Sequence, residues 1–292
     1  MIERFLFADW QEPPDKAGFQ DTYSGVLAGI RRSLESVLAS VDSPGAVQDV
    51  SFTDAVLDIY IKAPAIINVV LNYKICVENG LPLHPTEYFG IDDARKGSVS
   101  YTDEQVSAAN ALYLLSVGLS KKVMALDKKS VFKLDIYTSL LPGILKDFVY
   151  IHSNDKYTWR ASSPMRVAAL AKSISDAGED IDLVLGAAHG SIRPGLLLSN
   201  LLRSDVYFVR QSSFKRKDNA PVISGVDLAF LRAYQGRNVL LFDEDVAKGE
   251  TLQRFKEHLG PLFEHSSTAA VLAHYHAGFR PDFAGEFWCD GE

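Results

Sequence analysis

Three consecutive acids, Asp243, Glu244 and Asp245, follow directly on four apolar residues, Val239, Leu240, Leu241 and Phe242. An unbroken apolar run of this length reads as a buried strand, and carboxylates at the C-terminal end of such a strand face the ligand crevice of an open α/β sheet. There they can accept hydrogen bonds from ribose hydroxyls in pairs and can hold a magnesium ion, directly or through water. Val246, Ala247, Lys248, Gly249, Glu250 and Thr251 come next. Gly249 lets the chain turn tightly, and Thr251 begins a helix that carries Leu252, Phe255 and Leu259 on one stripe. Backbone N–H groups at such a turn and helix start receive a phosphate monoester, with the Lys248 ammonium and the Thr251 hydroxyl adding to them. The plainer alternative is a βα turn whose acids face only solvent.

Other polar residues stand at the ends of apolar runs. His189, Gly190 and Ser191 follow the run at 181–186, and His189 can donate to a phosphate oxygen and becomes cationic near neutral pH. Arg210 ends the run at 206–209 and opens a stretch that includes Ser213, Phe214, Lys215, Arg216 and Lys217. A loop over 211–225 with this basic run would serve as a lid over an anionic ligand, or simply as a solvated turn. His274, Tyr275 and His276 close the run at 268–273, and alternation along a strand would set the two histidines on one face. Two histidines without a third ligand do not make a metal site, so a base-facing or solvent-facing role is expected for them. Trp10, Trp159 and Trp288 are scattered packing residues, and Trp288, near the C-terminal acids, is the one to compare with a base site.

The elements that must position these residues change character along the chain. Residues 24–41 carry Val26, Leu27, Ile30, Leu34, Val37, Leu38 and Val41 at helical spacing, and Asp42-Ser43-Pro44-Gly45 stops that helix. A second helix is expected from an N-cap at Thr53 to Asn79-Gly80, kinked or split by Pro64. A third follows Thr102, whose Asp103-Glu104-Gln105 forms a capping-box start, and Lys121, Lys122, Lys128 and Lys129 crowd its end, where the helix dipole favours cations. No alternating strand is visible before residue 180. Beyond it, runs at 181–186, 206–209, 238–242 and 268–273 alternate with helical stretches such as 191–202, and Ser163-Pro164 starts another helix. The fold class expected is therefore α/β, an open and mainly parallel sheet preceded by a helical domain, with residues 1–140 in the first and 141–292 in the second.

The loop at 239–251 resembles the phosphoribosyl pyrophosphate loop of type I phosphoribosyltransferases, in which four apolar residues, two acids, two apolar residues, two small or hydroxyl residues and then Gly-x-Thr follow in order, with the same length here. Gly186-Ala187-Ala188-His189-Gly190-Ser191-Ile192-Arg193-Pro194 resembles that family's pyrophosphate loop, and Arg210-Gln211-Ser212-Ser213-Phe214 the start of its flexible catalytic loop. Gly278-Phe279-Arg280-Pro281-Asp282-Phe283-Ala284-Gly285 is similar to a stretch of the hypoxanthine-guanine branch. The resemblance spans about residues 160–292. It implies a magnesium-dependent pentosyltransferase that moves ribose 5-phosphate from phosphoribosyl pyrophosphate to a nitrogen acceptor. In that scheme Asp243, Glu244 and Asp245 form the catalytic group, with Asp243 and Glu244 toward the metal. Ala247, Lys248, Gly249, Glu250 and Thr251 hold the 5′-phosphate, while His189, Gly190, Ser191 and Arg210 hold pyrophosphate. Ser213, Phe214 and Lys215 lie in the flexible loop, and His274 and Trp288 line the base or acceptor site. Departures are equally specific. Ala247 stands where purine-salvage members place an acid, Lys248 replaces a hydroxyl residue, His189 replaces Arg or Lys, and His274 replaces a lysine. These keep open a non-catalytic module that binds a phosphoribosyl compound or nucleotide.

Composition limits the remaining options. Over 292 residues the apolar fraction is 47% and the charged fraction 23%, ample for a globular core. A net charge of -7 does not suit an extended polyanion, so nucleic acid is not expected as a partner, whereas one helix N-terminus still suits a small phosphate. Cys76 and Cys289 form no CxxC pair, which fits a reducing compartment. With no signal-like start and no long apolar span, a cytoplasmic protein, not membrane-bound, is expected, and a homodimer is the expected assembly.

Overall fold

The computed structural model describes residues 6, 8–41, 50–83, 99–153, 155–211 and 218–289. Packing divides the chain into two units, Met1–Ala8 with Pro14–Asn154, and Asp9–Pro13 with Asp155–Glu292.

The first unit is built on helices α1 (Tyr23–Val41), α2 (Val50–Glu78), α3 (Asp103–Met124), α4 (Ser130–Leu140) and α5 (Gly143–Lys146). The apolar stripe of α1 is buried at Val26, Leu27, Ile30, Leu34 and Val37, as its spacing requires. Helix α2 starts ahead of the expected cap at Thr53 and runs on through Pro64, which is itself buried. Burial on nearly every side, from Phe52 to Val77, outweighs the weak local signals at Thr53 and Pro64. At the head of α3 the capping box forms as its sequence dictates, Gln105 N donating to Thr102 Oγ1 at 3.3 Å and Thr102 N to Gln105 Oε1 at 2.9 Å. Two short strands, β1 (Phe19–Thr22) and β2 (Val149–His152), pair antiparallel from Phe19↔His152 to Thr22↔Val149. Their four-residue length and exposed side chains on β1 left no alternation to detect. This ribbon draws residues 149–152 into the helical unit, so the packing boundary falls at Asn154 rather than at 140.

The second unit is a five-stranded sheet in the order β4-β3-β5-β6-β7, every pair parallel. Its strands are β3 (Leu183–Ala188), β4 (Asp205–Arg210), β5 (Asn238–Val246), β6 (His265–His274) and β7 (Phe283–Trp288). Helices α6 (Lys156–Arg160), α7 (Pro164–Asp176), α8 (Ile192–Leu202), α9 (Gly225–Arg232) and α10 (Glu250–Leu259) connect and cover them. Every residue of β3 is buried, as expected of an interior parallel strand. Ser163 occupies the N-cap of α7 with Pro164 in the first turn, although its hydroxyl makes no capping bond. Strand β7 was hidden in the sequence because Gly285 and Glu286 interrupt its apolar pattern. The segment 9–13 belongs to this unit through α6: the Trp10 and Trp159 rings stack at 4.4 Å, Trp159 Nε1 donates to Asp9 O at 2.8 Å, and Arg160 Nε donates to Gln11 O at 3.1 Å. No described helix is long and apolar enough to cross a membrane.

Candidate functional site

Strand β5 extends past its neighbour on one side. Its pairing with β3 ends at Gly186↔Phe242, whereas its pairing with β6 continues through Asp243↔Ala270 and Asp245↔Leu272 to Val246↔Ala273. The three acids thus belong to the strand and do not follow it, a correction to the expected end at 242; the ladder with β6 holds them extended. They sit at the C-terminal rim of a parallel sheet, the edge at which such sheets bind ligands.

Each acid has a different surrounding. Asp243 is only 7% exposed, so it is a buried group rather than an open crevice carboxylate. Its Oδ1 accepts from Glu244 N at 3.0 Å. Burial, and next the adjacent Glu244 charge, hold the Asp243 carboxyl well above the usual range. Glu244 lies on the loop after β3, where a Cβ on residue 190 would overlap its carboxylate, so the absence of a side chain at Gly190 is what lets the two meet. Asp245 faces β6, with its Oδ1 3.1 Å from His274 Nε2, and both side chains are largely buried. His274 is in turn the register partner of Trp288 on β7, so the two residues expected at a base site do adjoin. The Trp288 ring is already covered by cations, with the Arg160 and Arg166 guanidinium carbons 5.1 Å and 5.7 Å from its centroid. His276 does not share a strand face with His274, because β6 ends at His274 and a turn follows.

The turn after β5 has the expected form. Ala247 and Lys248 are exposed, Gly249 adopts φ 88°, and Glu250 opens α10 with Leu252, Phe255 and Leu259 buried. No side chain caps this helix start, which leaves its first N–H groups open at the end of β5, and Thr251 is the second residue of the helix. The segment after β6 packs over the turn: Gly278 N donates to Lys248 O at 3.1 Å, and a Cβ at position 249 would meet Phe279 Cβ at 2.6 Å and its carbonyl oxygen at 2.9 Å. Gly249 is therefore required twice, by its positive φ and by this contact.

Across the sheet the loop after β3 turns at His189 and Gly190, with the Ala188–His189 peptide cis. Ser191 Oγ donates to Ala187 O at 2.6 Å, and Ile192 N to His189 O at 3.2 Å. Arg210 at the end of β4 is 2% exposed and pairs with Asp218 at 3.0 Å, so its guanidinium is committed within the protein. Ser213, Phe214 and Lys215 lie outside the described residues. Arg193 and Gln211, which the two resembling stretches contain but to which no role was given, are both buried at this end of the sheet. No residue type in those stretches marks them out, and only their burial does.

Among the described residues no three His, Cys, Asp or Glu side chains converge as a protein-only metal cage would need. The arrangement offers instead an adjacent carboxyl pair, an imidazole–carboxylate pair and an open helix N-terminus along one rim.

No family model matches the chain, and no curated protein matches it. Among solved structures it is similar to the purine phosphoribosyltransferase from Pyrococcus horikoshii Ot3, at 21% identity and a TM-score of 0.35 over 44% of this chain and 86% of that one. It is likewise similar to a hypothetical protein from Neisseria gonorrhoeae with bound ppGpp, at 22% identity and a TM-score of 0.33 over 45% of this chain and 80% of that one.

Proposed function

We propose that the rim of the sheet binds a phosphoribosyl compound and that the protein is a phosphoribosyltransferase acting on phosphoribosyl pyrophosphate with an unidentified nitrogen acceptor. One observation carries this reading: the extended end of β5 brings the Glu244 carboxylate, next in sequence to the buried Asp243, against the loop after β3 and leads straight into a helix start that no side chain caps. The uncapped N–H groups of α10, with Lys248 and Thr251, hold the 5′-phosphate. The Asp243 and Glu244 carboxylates accept the ribose hydroxyls. His189, Gly190 and Ser191 face the pyrophosphate.

Magnesium fits this donor set. It keeps several waters and needs only one or two carboxylates beside substrate phosphates. Asp243 and Glu244 would hold it, and its positive charge would offset two carboxylates that now oppose each other across a buried position. When bound, the ion stabilises negative charge on the departing pyrophosphate. In the transfer, the acceptor nitrogen bonds to the anomeric carbon as the bond from that carbon to pyrophosphate oxygen breaks, and the acceptor's proton must leave. Ala247 has no group to take it. The imidazole–carboxylate pair of His274 and Asp245 is the proton acceptor the rim supplies.

Calorimetry with phosphoribosyl pyrophosphate, with and without magnesium, followed by pyrophosphate release across a panel of nucleobases, tests the proposal. Binding that requires magnesium, with release for one acceptor, is expected, and no binding in either condition refutes it. The presence of Ala247 favours a second reading, a non-catalytic module that binds the same ligand, and binding without release for any acceptor would select it.

A further inference from the structure

Between Gln105 and Lys121 the sequence of α3 contains no charged residue. One side of the helix buries Leu112, Tyr113, Val117, Leu119 and Val123. On the other, Ser107, Ala108, Ala111, Leu114, Leu115 and Gly118 are exposed, Leu114 at 43% and Leu115 at 51%. The outer face of a surface helix is ordinarily charged or polar, so an exposed side this apolar marks a contact surface. Helix α4, packed on α3, adds exposed Phe132, Ile136 and Leu140 at steps of four. Gly118 supports the same conclusion. Glycine within a helix is less stable than alanine, and a Cβ at position 118 would meet no atom of the described residues within 4 Å. Packing inside the chain gives no reason for a glycine there, whereas close approach of another helix does.

The two ends of α3 identify the partner. Asp103 and Glu104 lie in its first turn, Lys121 and Lys122 in its last. A second α3 laid antiparallel, about a two-fold axis midway between Ala111 and Leu115, sets Glu104 against Lys122, Ala108 against Gly118 and Ala111 against Leu115, and each pair occurs twice. Opposite charges then meet at both ends, and small residues receive the partner's backbone and its leucine between them. Contact with the Lys122 side chain holds the Lys133 ammonium of α4 below the ordinary lysine value, a crowding that an acid from a second copy relieves. An anionic bilayer, which carries one sign of charge, does not match a face acidic at one end and basic at the other. A helix of 22 residues is about 33 Å long, and with α4 beside it the face has the extent from which dimers draw about 800 Å² per partner.

We infer that the outer face of α3 is a dimer interface, covered by the same face of a second copy of this chain running antiparallel to it. This gives the expected homodimer an interface in the helical unit, and it does not depend on the ligand at the sheet rim.

Sedimentation velocity on the full chain provides the test, with a dimer expected for the wild type at about 10 µM. Leu115→Glu should keep the wild-type circular dichroism spectrum and weaken association about a hundredfold or more, because two carboxylates would then be buried against the partner. Glu104→Lys and Lys122→Glu should each weaken it about tenfold, and the double variant, which exchanges the two charges, should restore it. A wild type that stays monomeric up to about 100 µM overturns the inference. So does a dimer indifferent to Leu115→Glu, which another face must form, or a charge exchange that restores nothing, which excludes the antiparallel pairing. Should Leu115→Glu fail to fold, Gly118→Leu takes its place, since its side chain enters open space in a single copy but blocks the approach of a second. A loss of the dimer supports the interface, and a dimer as tight as wild type overturns it.

Discussion

Asp243 carries its charge at a disadvantage, buried and next to Glu244, and this sets the pH behaviour of the ligand-free protein. Its folded-state pKa lies above the ordinary value of 3.8, so the stability it contributes is complete below that value and is lost as pH rises through the raised one. Asp243→Asn keeps the acceptor for Glu244 N but cannot ionise. The expected result is a higher melting temperature than wild type at neutral pH, a difference that disappears toward pH 4, and loss of magnesium-dependent binding. Thermal melts across pH, paired with calorimetry, check both halves. Lys248 is simpler, being exposed at the turn. Lys248→Ala should weaken phosphoribosyl binding by about 1.5–3 kcal/mol, the value of one charge-assisted hydrogen bond, with a deficit that shrinks as salt rises. Tighter binding would mean that the lysine obstructs the phosphate position.

At the scale of elements, the turn between β5 and α10 holds two requirements in one residue. Gly249→Val should lower stability by more than about 2 kcal/mol from the left-handed backbone alone, with a further loss as Phe279 is displaced. Denaturant titration measures this, and a variant that melts like wild type would show that the segment at 278–279 yields freely. The strand at 239–242 and the turn at Gly249 were legible in sequence, because an apolar run followed by charge and then glycine is a local pattern, whereas the placing of the acids within the strand was not. The capping box of α3 and the stripe of α1 were legible for the same reason, being local. What was hidden depends on distant partners. Strand β5 outlasts its apolar run only because β6 keeps pairing with it, α2 passes Thr53 and Pro64 because its whole circumference is buried, and the Asp245–His274 contact joins residues on separate strands. Burial of Asp243 and Gln211 leaves no mark in residue type at all.

Across the whole molecule, the α/β unit draws on both ends of the sequence. Trp10 supplies a stacked ring to Trp159, so Trp10→Ala should destabilise that unit by roughly 1 kcal/mol or somewhat more. The transition followed by Trp159 fluorescence should shift, and a transition in the helical unit, if separate, should not. Chains in which both move equally would show that the two units melt as one.

The antiparallel pairing of β1 with β2 brings Phe19 and His152 side by side, close to the two ends of the helical unit's long segment, Pro14–Asn154. Topologically Pro14–Asn154 is a closed excursion whose entrance and exit are held together, running between the two segments of the α/β unit, Asp9–Pro13 and Asp155–Glu292. A short flexible linker should be able to take its place. A chain that joins Pro13 to Asp155 through a few glycines and serines should therefore still fold its five-stranded sheet, which circular dichroism and a cooperative melt of that chain would check.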